Sequence, residues 1–507
     1  MIAVTAAMAF APACSEANDD STGPTAAEGE PELAPLEARL REKCSTCHGF
    51  PSPEVIPARA WPSTIEKMFK LANLRLPSTP DQKLLGFTPA EAAAWFVERA
   101  PEELDVPSWV AEPGGPSVLP GRAFMRANET SGRPPAVANV RLLRLDGDNG
   151  PLSLVVCDML GERVLIGDPQ RPEAGLDVIA RLPAPARVEP ADLDGDGRVD
   201  LIVSVLGDPG PTDDRVGAVV WLRRTESGTF EHHELATRLG RVAETRVVDF
   251  DGDGDLDIFC AVFGWYTTGE LLLLENMREG DGPPTFRPTT LDRRSGALNI
   301  AIADLDGDDR VDFVTVLSQE HERVLAFLGR GGRAFQEVVL HDAGQPHFGY
   351  TGLAPTDFDG DGDVDFLVTN GDTLDDEIKM KPYHGVAWLE NRGDVKFERH
   401  EIGFYPGAHR ALAVDLDGDG DLDVVASSFL PGIVEGAPPG LVWFERRDDG
   451  SFAPHTLLDE GAKHATVDAA DIDGDGLPDL VVGNITVQEP FPDDIERMVE
   501  VLLSTER

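Results

Sequence analysis

The stretch Asp192-Leu193-Asp194-Gly195-Asp196-Gly197-Arg198-Val199-Asp200, followed at once by Leu201-Ile202-Val203-Ser204-Val205, decides how this chain folds. A short, mostly apolar run leaving a loop of aspartates and glycines reads as a strand that follows a tight turn. The same unit starts again at Asp249, Asp304, Asp357, Asp415 and Asp471, with a worn copy at Asp146-Gly147-Asp148-Asn149-Gly150. Counted from the aspartate before the first glycine, the copies lie 48 to 58 residues apart, the spacing of a repeat architecture. Each unit goes on with matching parts. A strand follows at 220–222, 271–275, 324–328, 386–390 and 442–445; after a glycine-containing turn comes another at 230–235, 335–340, 397–402 and 452–457. Four short strands per unit and seven units predict a mainly β fold, a seven-bladed β-propeller over residues 118–507. The last unit stops at Val501-Leu502-Leu503, one strand short. Residues 118–125 are expected to supply that strand and close the ring, removing the sheet edges that an open array exposes.

Within Asp-x-Asp-Gly-Asp-Gly-x-x-Asp, the side chains at positions 1, 3, 5 and 9 and the carbonyl at position 7 are expected to converge on one point. Glycines at positions 4 and 6 permit the left-handed path this requires. Hard oxygens in a flexible loop suit Ca²⁺, and a strand follows where an EF-hand would place a helix. The expected ligands are Asp192, Asp194, Asp196 and Asp200; Asp249, Asp251, Asp253 and Asp257; Asp304, Asp306, Asp308 and Asp312; Asp357, Asp359, Asp361 and Asp365; Asp415, Asp417, Asp419 and Asp423; and Asp471, Asp473, Asp475 and Asp479. Six loops predict about six Ca²⁺, structural rather than catalytic. In the fourth loop Asp309 stands where glycine is preferred, which aspartate tolerates better than most residues. The worn copy has Arg144 at position 1 and Leu152 at position 9 and is expected to bind no ion. The rival reading is a set of Asx turns without metal, opposed by the repulsion of four clustered carboxylates.

Towards the N-terminus, Cys44-Ser45-Thr46-Cys47-His48 spaces two thiols to form thioethers with haem vinyl groups and sets an imidazole beside them as proximal iron ligand. A thioredoxin-like pair would want a strand–helix context and a zinc site a second Cys/His pair nearby; neither is present. Leu36, Leu40 and the cysteines share one helical face. Ser63-Thr64-Ile65-Glu66 reads as a capping box opening a helix that turns Ile65, Met68, Phe69 and Ala72 to one side. Thr88-Pro89-Ala90-Glu91 opens another, with Ala92, Trp95 and Phe96 inward.

Composition sets the limits. The chain has 507 residues with 91 acidic against 44 basic, a net charge of −47. Such a surface repels phosphate backbones, so no nucleic-acid partner is expected. No apolar run is long enough to span a membrane, and five cysteines do not build a disulfide scaffold. Cys157 and Cys260 fall in inward-reading strands and are expected to be buried small hydrophobes. Ile2 to Phe10 is short and apolar and runs into Ala11-Pro12-Ala13-Cys14, as at a signal-peptide cleavage site. No Lys or Arg precedes Arg39, so the basic region of such a signal is missing, which leaves room for a start upstream of Met1. A disordered N-terminus with an ordinary cysteine is the alternative.

Three resemblances follow from these residues. Small residues before Cys14 resemble a bacterial lipobox, which implies export, a lipid on Cys14 and anchoring to a bacterial membrane on the periplasmic or outer-membrane side. The helices around Cys44-x-x-Cys47-His48 resemble a small class I cytochrome c. With Trp61-x(6)-Met68, they are similar to haem segments fused to repeat proteins, which implies one haem c held by Cys44, Cys47 and His48 with Met68 as sixth ligand; Met125 is the other candidate. The aspartate repeats resemble the FG-GAP/VCBS family, calcium-loop propellers related to integrin α-subunit heads. The expected layout is a signal at 1–13, an acidic tether at 14–33, the cytochrome c-like domain at 34–105, a Pro/Gly linker at 106–117 and the propeller at 118–507.

Strands alternate in direction along a blade. Loops A–B, which carry the aspartates, therefore share a face with C–D, and B–C and D–A form the other. Long, unequal B–C loops make the second face the expected binding surface. Its D–A segments carry Arg187, Arg241, Arg246, Arg293, His347, His409, Arg410, Lys463 and His464, a cationic ring suited to an anion or to haem propionates, or else loop charge balancing nearby carboxylates. The expected function is haem electron transfer, with the propeller binding a redox partner or substrate. One alternative is a haem-dependent oxidoreductase with His347, His409 or His464 as proton acceptor. Another is an adhesion or carbohydrate-binding propeller that takes a glycan.

Overall fold

The computed structural model describes residues 35–45, 49–75, 86–112, 118–278, 280, 282–373, 380–432, 434–486 and 497–504. Seven antiparallel sheets of four strands account for the chain from residue 121 onward. Their innermost strands are Val137–Arg144, Pro185–Ala191, Val242–Val248, Ala297–Ala303, Tyr350–Thr356, Ala408–Val414 and Thr466–Ala470, numbered here as blades 1 to 7. Each touches the next, and the seventh touches the first, so the blades form a closed ring around a central channel.

The strand after each aspartate loop is the most enclosed. Asp200–Val205, Asp257–Val262, Asp312–Leu317, Asp365–Asn370 and Asp423–Ser428 are buried at every residue. A strand buried on both faces reads as a near-continuous apolar run rather than an alternating one, as Leu-Ile-Val and Val-Val-Ala do here. Outermost strands such as Phe230–Leu239 are mostly exposed or half-buried. One apolar cluster fills each of the seven seams between successive blades. Hydrophobic burial is thus spread around the ring instead of gathered at its axis.

Ring closure follows the expected route. Gly121–Met125 pairs antiparallel with Val499–Leu503, in register from Gly121 opposite Leu503 to Met125 opposite Val499. Arg122 fastens this join by donating from Nε to Glu500 Oε2 at 3.0 Å. Met125 is fully buried in the seam between blades 7 and 1, which removes it as a haem-ligand candidate.

Among the described residues three α-helices precede the propeller: α1 (Pro35–Cys44), α2 (Trp61–Arg75) and α3 (Pro89–Val97). Thr88 caps α3 through the expected capping box, with Pro89 in the first turn. At Ser63 the expected box does not form. A short turn at Ala58–Ala60 runs into α2, which starts at Trp61, and Ser63 Oγ donates to Ala60 O at 3.0 Å. Pro62 explains the earlier start, because its fixed φ and missing N–H suit a first helical turn. The helices enclose their own core, in which Trp61 stacks on Phe96 at 3.9 Å between ring centroids. Among the described residues no helix is long and apolar enough to cross a membrane.

This helical unit sits on the propeller face away from the aspartate loops. Tyr383, in the B–C connection of blade 5, donates its hydroxyl to Val55 O at 3.2 Å. A Cβ on Gly49 would lie 2.8 Å from the carbonyl oxygen of Gly344, in the connection between blades 4 and 5. The connecting segment then lies along blades 5 and 6, where Trp109 packs on Tyr405 and Phe444 and Glu112 N donates to Pro454 O.

Candidate functional site

Position 1 of each aspartate loop organises the loop backbone. In blade 6, Asp415 Oδ1 accepts from Gly418 N at 2.8 Å and Oδ2 from Gly420 N at 3.1 Å. Asp471 does the same with Gly474 and Gly476 in blade 7. These glycines have positive φ, as does Asp309 at +61°. Such turns gather the carboxylates. Asp192, Asp194 and Asp200 each bring an oxygen within 4.8 Å of the other two, as do Asp249, Asp251 and Asp257; Asp304, Asp306 and Asp308; and Asp357, Asp359 and Asp361. Hard oxygens at that mutual distance fit a calcium-sized cation.

The loops differ in what already balances them. In blade 2, Arg223 binds both Asp194 and Asp196. In blade 4, Arg330 reaches Asp306 and Arg310 reaches Asp308, each at 2.7 Å. The worn first copy holds Arg144 against Gly150 O, and Asp146 pairs with Arg224 at 2.7 Å.

The ninth aspartate does something a local motif does not reveal. Asp312 Oδ2 accepts from Leu305 N in its own loop at 2.8 Å, and Oδ1 accepts from Gly329 N, at the end of the third strand, at 2.7 Å. Asp257 links Phe250 N to Asn276 N, Asp365 links Phe358 N to Asn391 N, and Asp423 links Leu416 N to Arg446 N in the same way. Asp200 and Asp479 complete the set, Asp200 also accepting from Trp221 Nε1 at 2.8 Å. The residue is therefore a staple within each blade as well as a possible ligand. Burial pushes Asp257 up to about 6 and Asp423 up to about 7, against the pull of these backbone donors.

In the helical unit, Cys44 ends α1 and Met68 lies on α2, both half-buried against the core around Trp61 and Phe96. Cys47, His48 and Cys14 lie outside the described residues, as does the side chain of Ala72. Trp95 Nε1 is buried and, among the described residues, has no acceptor, while Arg99 stacks over the same ring at 4.5 Å. An apolar core bordered by the first cysteine and a methionine, with one indole N–H lacking an acceptor that a propionate could provide, fits a haem.

The candidate cationic ring separates into different environments. Arg187, Arg246, His409 and Arg410 lie on innermost strands that line the channel. Arg241 is buried, donating to Gly264 O and stacking over Phe263, and Arg293 is exposed. His347 is half-buried, its carbonyl accepting from Lys381 Nζ at 3.1 Å, and Lys463 pairs with Glu460 at 2.9 Å. His464 is fully buried with Nδ1 against Gly483 O at 3.1 Å, which makes Nδ1 the donor. Burial and the nearby Lys463 push its pKa down to about 3. His464 therefore has no access to a substrate on the face, contrary to the sequence expectation.

The sequence reading missed the channel's other charges: Arg141, Glu189, Glu244 and Asp468. Aligning the repeats on the first loop aspartate would have found them, because they fall three or five residues before it. Glu244 is buried, pairs with Arg187 at 2.7 Å and with Arg246, and accepts from Asn299 Nδ2 at 2.9 Å and Ile300 N at 3.2 Å. Burial would raise its pKa, yet these guanidiniums outweigh it and hold the carboxyl at about 2. Arg246 also reaches Glu189 at 3.0 Å, and Arg141 bridges Glu189 at 3.7 Å and Asp468 at 3.9 Å. Several channel side chains accept from the next blade's backbone: Glu244 from Ile300 N, Asn139 from Val188 N and Thr466 from Val140 N. The inner strand edges, otherwise unpaired, are capped in this way.

Residues 192–260, 249–315 and 433–482 match the FG-GAP-like repeat. The chain carries FG-GAP-like repeats on a seven-bladed propeller. No curated protein matches it in sequence. Solved structures similar to it include a lectin of Agrocybe aegerita that recognises non-reducing terminal N-acetylglucosamine, at 19% identity over 63% of this chain and 82% of that one, with a TM-score of 0.40. Others are the periplasmic gluconolactonase of Pseudomonas aeruginosa, at 16% over 67% and 96% with 0.42, and the N-terminal domain of Nup159, at 11% over 78% and 97% with 0.42. Likenesses this remote say nothing about ligand or chemistry.

Proposed function

We propose that this is an exported, lipid-anchored electron-transfer protein. Cys44 and Cys47 would hold one haem c, with His48 as proximal ligand and Met68 as the sixth; Cys14 would carry the lipid. About six calcium ions would brace the propeller, whose B–C and D–A face would present a redox protein or a small-molecule substrate. Bound there, the haem supplies a one-electron couple.

The observation that carries this reading is the close approach of Gly49 to Gly344. Residue 49 directly follows the Cys-x-x-Cys-His motif, and its backbone meets the propeller on the face where the arginine-lined channel opens. A redox group attached at the motif would stand beside whatever that face binds. The same arrangement serves a haem-dependent oxidoreductase, for which His347 and His409 remain the candidate proton acceptors.

The test is expression with cytochrome c maturation factors, followed by oxidised and reduced spectra and a pyridine haemochrome assay. A covalent c-type spectrum that disappears in Cys44→Ala/Cys47→Ala and changes its axial-ligand signature in Met68→Ala is the expected result. A colourless protein under those conditions overturns the haem reading.

A further inference from the structure

We propose that the central channel binds one small organic acid, gripping its carboxylate with the guanidinium of Arg410. This goes beyond the electron-transfer reading and stands whether or not a haem is attached.

The argument begins with charge pairing. Among the described residues the channel wall carries Arg141, Arg187, Arg246 and Arg410 against Glu189, Glu244 and Asp468. Three of the arginines have a carboxylate within 4.0 Å. Arg410 has none; its hydrogen bond is to Leu353 O, at a long 3.4 Å. Position explains why. At the two wall levels that carry charge elsewhere, blades 4 and 5 present Asn299, Ala301, Gly352 and Ala354, and none of these can neutralise a guanidinium.

A guanidinium deep in a protein cannot escape by losing its proton. Burial and the like charge of Arg187 press Arg410 down to about 9, against the more distant pull of Glu244, so it stays charged at neutral pH. Glu244, the carboxylate that acts on it most, is already taken by Arg187 and Arg246. With four arginines against three carboxylates the wall is short of one negative charge, and a largely buried cation without a contacting partner is costly. One missing charge favours a monoanion over a phosphate dianion, and the planar fork of an arginine matches a carboxylate.

The channel can admit such a ligand. Arg187, Arg246 and Arg141 keep 17%, 18% and 31% of their side-chain surface accessible although they stand at the centre of the ring, so solvent reaches them. His409, beside Arg410 on the same strand, is half-buried, and burial first and the nearby arginines after it lower its pKa. The protein as a whole is strongly negative, so large polyanions are repelled while a small anion that enters meets the local positive field.

The experiment is isothermal titration of the calcium-loaded full chain with acetate, propionate and benzoate, beside sulfate and inorganic phosphate, with melting curves at each concentration. Saturable binding of a monocarboxylate at one site, a rise in melting temperature with ligand, and at least a tenfold loss of affinity in Arg410→Met are expected. Arg410→Met should melt at or above wild type without ligand, because it removes an uncompensated cation; that separates lost binding from lost fold. No binding by wild type at millimolar concentrations, undiminished binding in Arg410→Met, or preference for sulfate or phosphate overturns the proposal.

Discussion

Replacing Asp312 with alanine, in the presence of a chelator, separates the two roles of the ninth loop aspartate. Asp312 is fully buried, and its two oxygens hold Leu305 N at 2.8 Å and Gly329 N at 2.7 Å. Alanine leaves both N–H groups buried without an acceptor, at about 1–3 kcal/mol each, so the expected loss is about 2–6 kcal/mol. Part of that is returned, because burial already penalises the Asp312 carboxylate and pushes its pKa up; a net value of about 3 kcal/mol is the working figure. Asp312→Asn keeps one acceptor oxygen and turns an NH2 toward the other donor, so about half that loss is expected. The assay is urea unfolding in EDTA followed by circular dichroism, read as a shift in midpoint because a seven-bladed ring need not unfold in one step. Hydrogen exchange at Leu305 and Gly329 locates the effect. Stability within about 0.5 kcal/mol of wild type in EDTA, with a large deficit only when calcium is present, would refute the staple and leave Asp312 a metal ligand alone.

Arg330→Met should be less stable than wild type in EDTA by up to about 1 kcal/mol, since Asp306 loses its cation and Asp308 keeps only Arg310. The same variant should gain more than wild type from added calcium, measured by scanning fluorimetry with and without the ion. Arg122→Ala leaves Glu500, 1% exposed, without its partner at the ring join. Because Arg122 itself is 33% exposed, the cost is set below that of a fully buried pair, at about 2–3 kcal/mol; Glu500→Gln on the same background should restore resistance to proteolysis. Acid should destabilise the fold in two windows, against the opposite contribution of Asp257 and Asp423, whose raised pKa values favour the fold as pH falls from about 7. As pH falls from 6.5 towards 3, the unfolded chain takes up a proton that buried His464 refuses, and as it falls from 4.5 towards 2 the same holds for Glu244. His464→Asn, which keeps a donor for Gly483 O, should shrink the first window in a plot of urea midpoint against pH, leaving the parts due to His341 and His409.

Much of the fold was legible because its signals are local. The aspartates and glycines of each loop mark the period, the buried strand after them is written as an apolar run, and the missing strand in the last unit points to residues 118–125, of which 121–125 pair. The Thr88 capping box was legible for the same reason: all its partners lie within four residues. The Ser63 box failed although its letters were right, because Pro62 and the turn at Ala58–Ala60 moved the helix start upstream. His464 read as a loop cation; its burial depends on Gly440, where an added Cβ would lie 2.4 Å from the imidazole, a contact no nearby residue encodes. Half of the channel was hidden for a geometric reason. Arg187, Arg246 and Arg410 were legible as cations, but Glu189 and Glu244 follow or precede them across Val188 and Thr245 as they would on a solvent-facing strand, and only closure of the ring turns such strands inward.

The aspartate loops and the channel also differ in how far the chain completes them unaided. In the loops, the first aspartate is satisfied by its own turn and the ninth by two backbone donors in the same blade, so the geometry holds together before any ion is considered. Calcium is then expected to tune stability and not to create the fold. In the channel the opposite holds at one point: Glu244 collects two arginines and two further donors, while Arg410 is left with one long hydrogen bond to a carbonyl. Had the wall evolved for stability alone, a carboxylate in place of Ala354 or Gly352 would be the direct remedy, although Gly352 has no room for it: an added Cβ would lie 2.5 Å from Thr369 Oγ1 and 2.9 Å from His409 O. Close packing thus forbids an internal counter-ion at the position nearest in level to Arg410, and leaves that charge for a small anion entering the channel to meet.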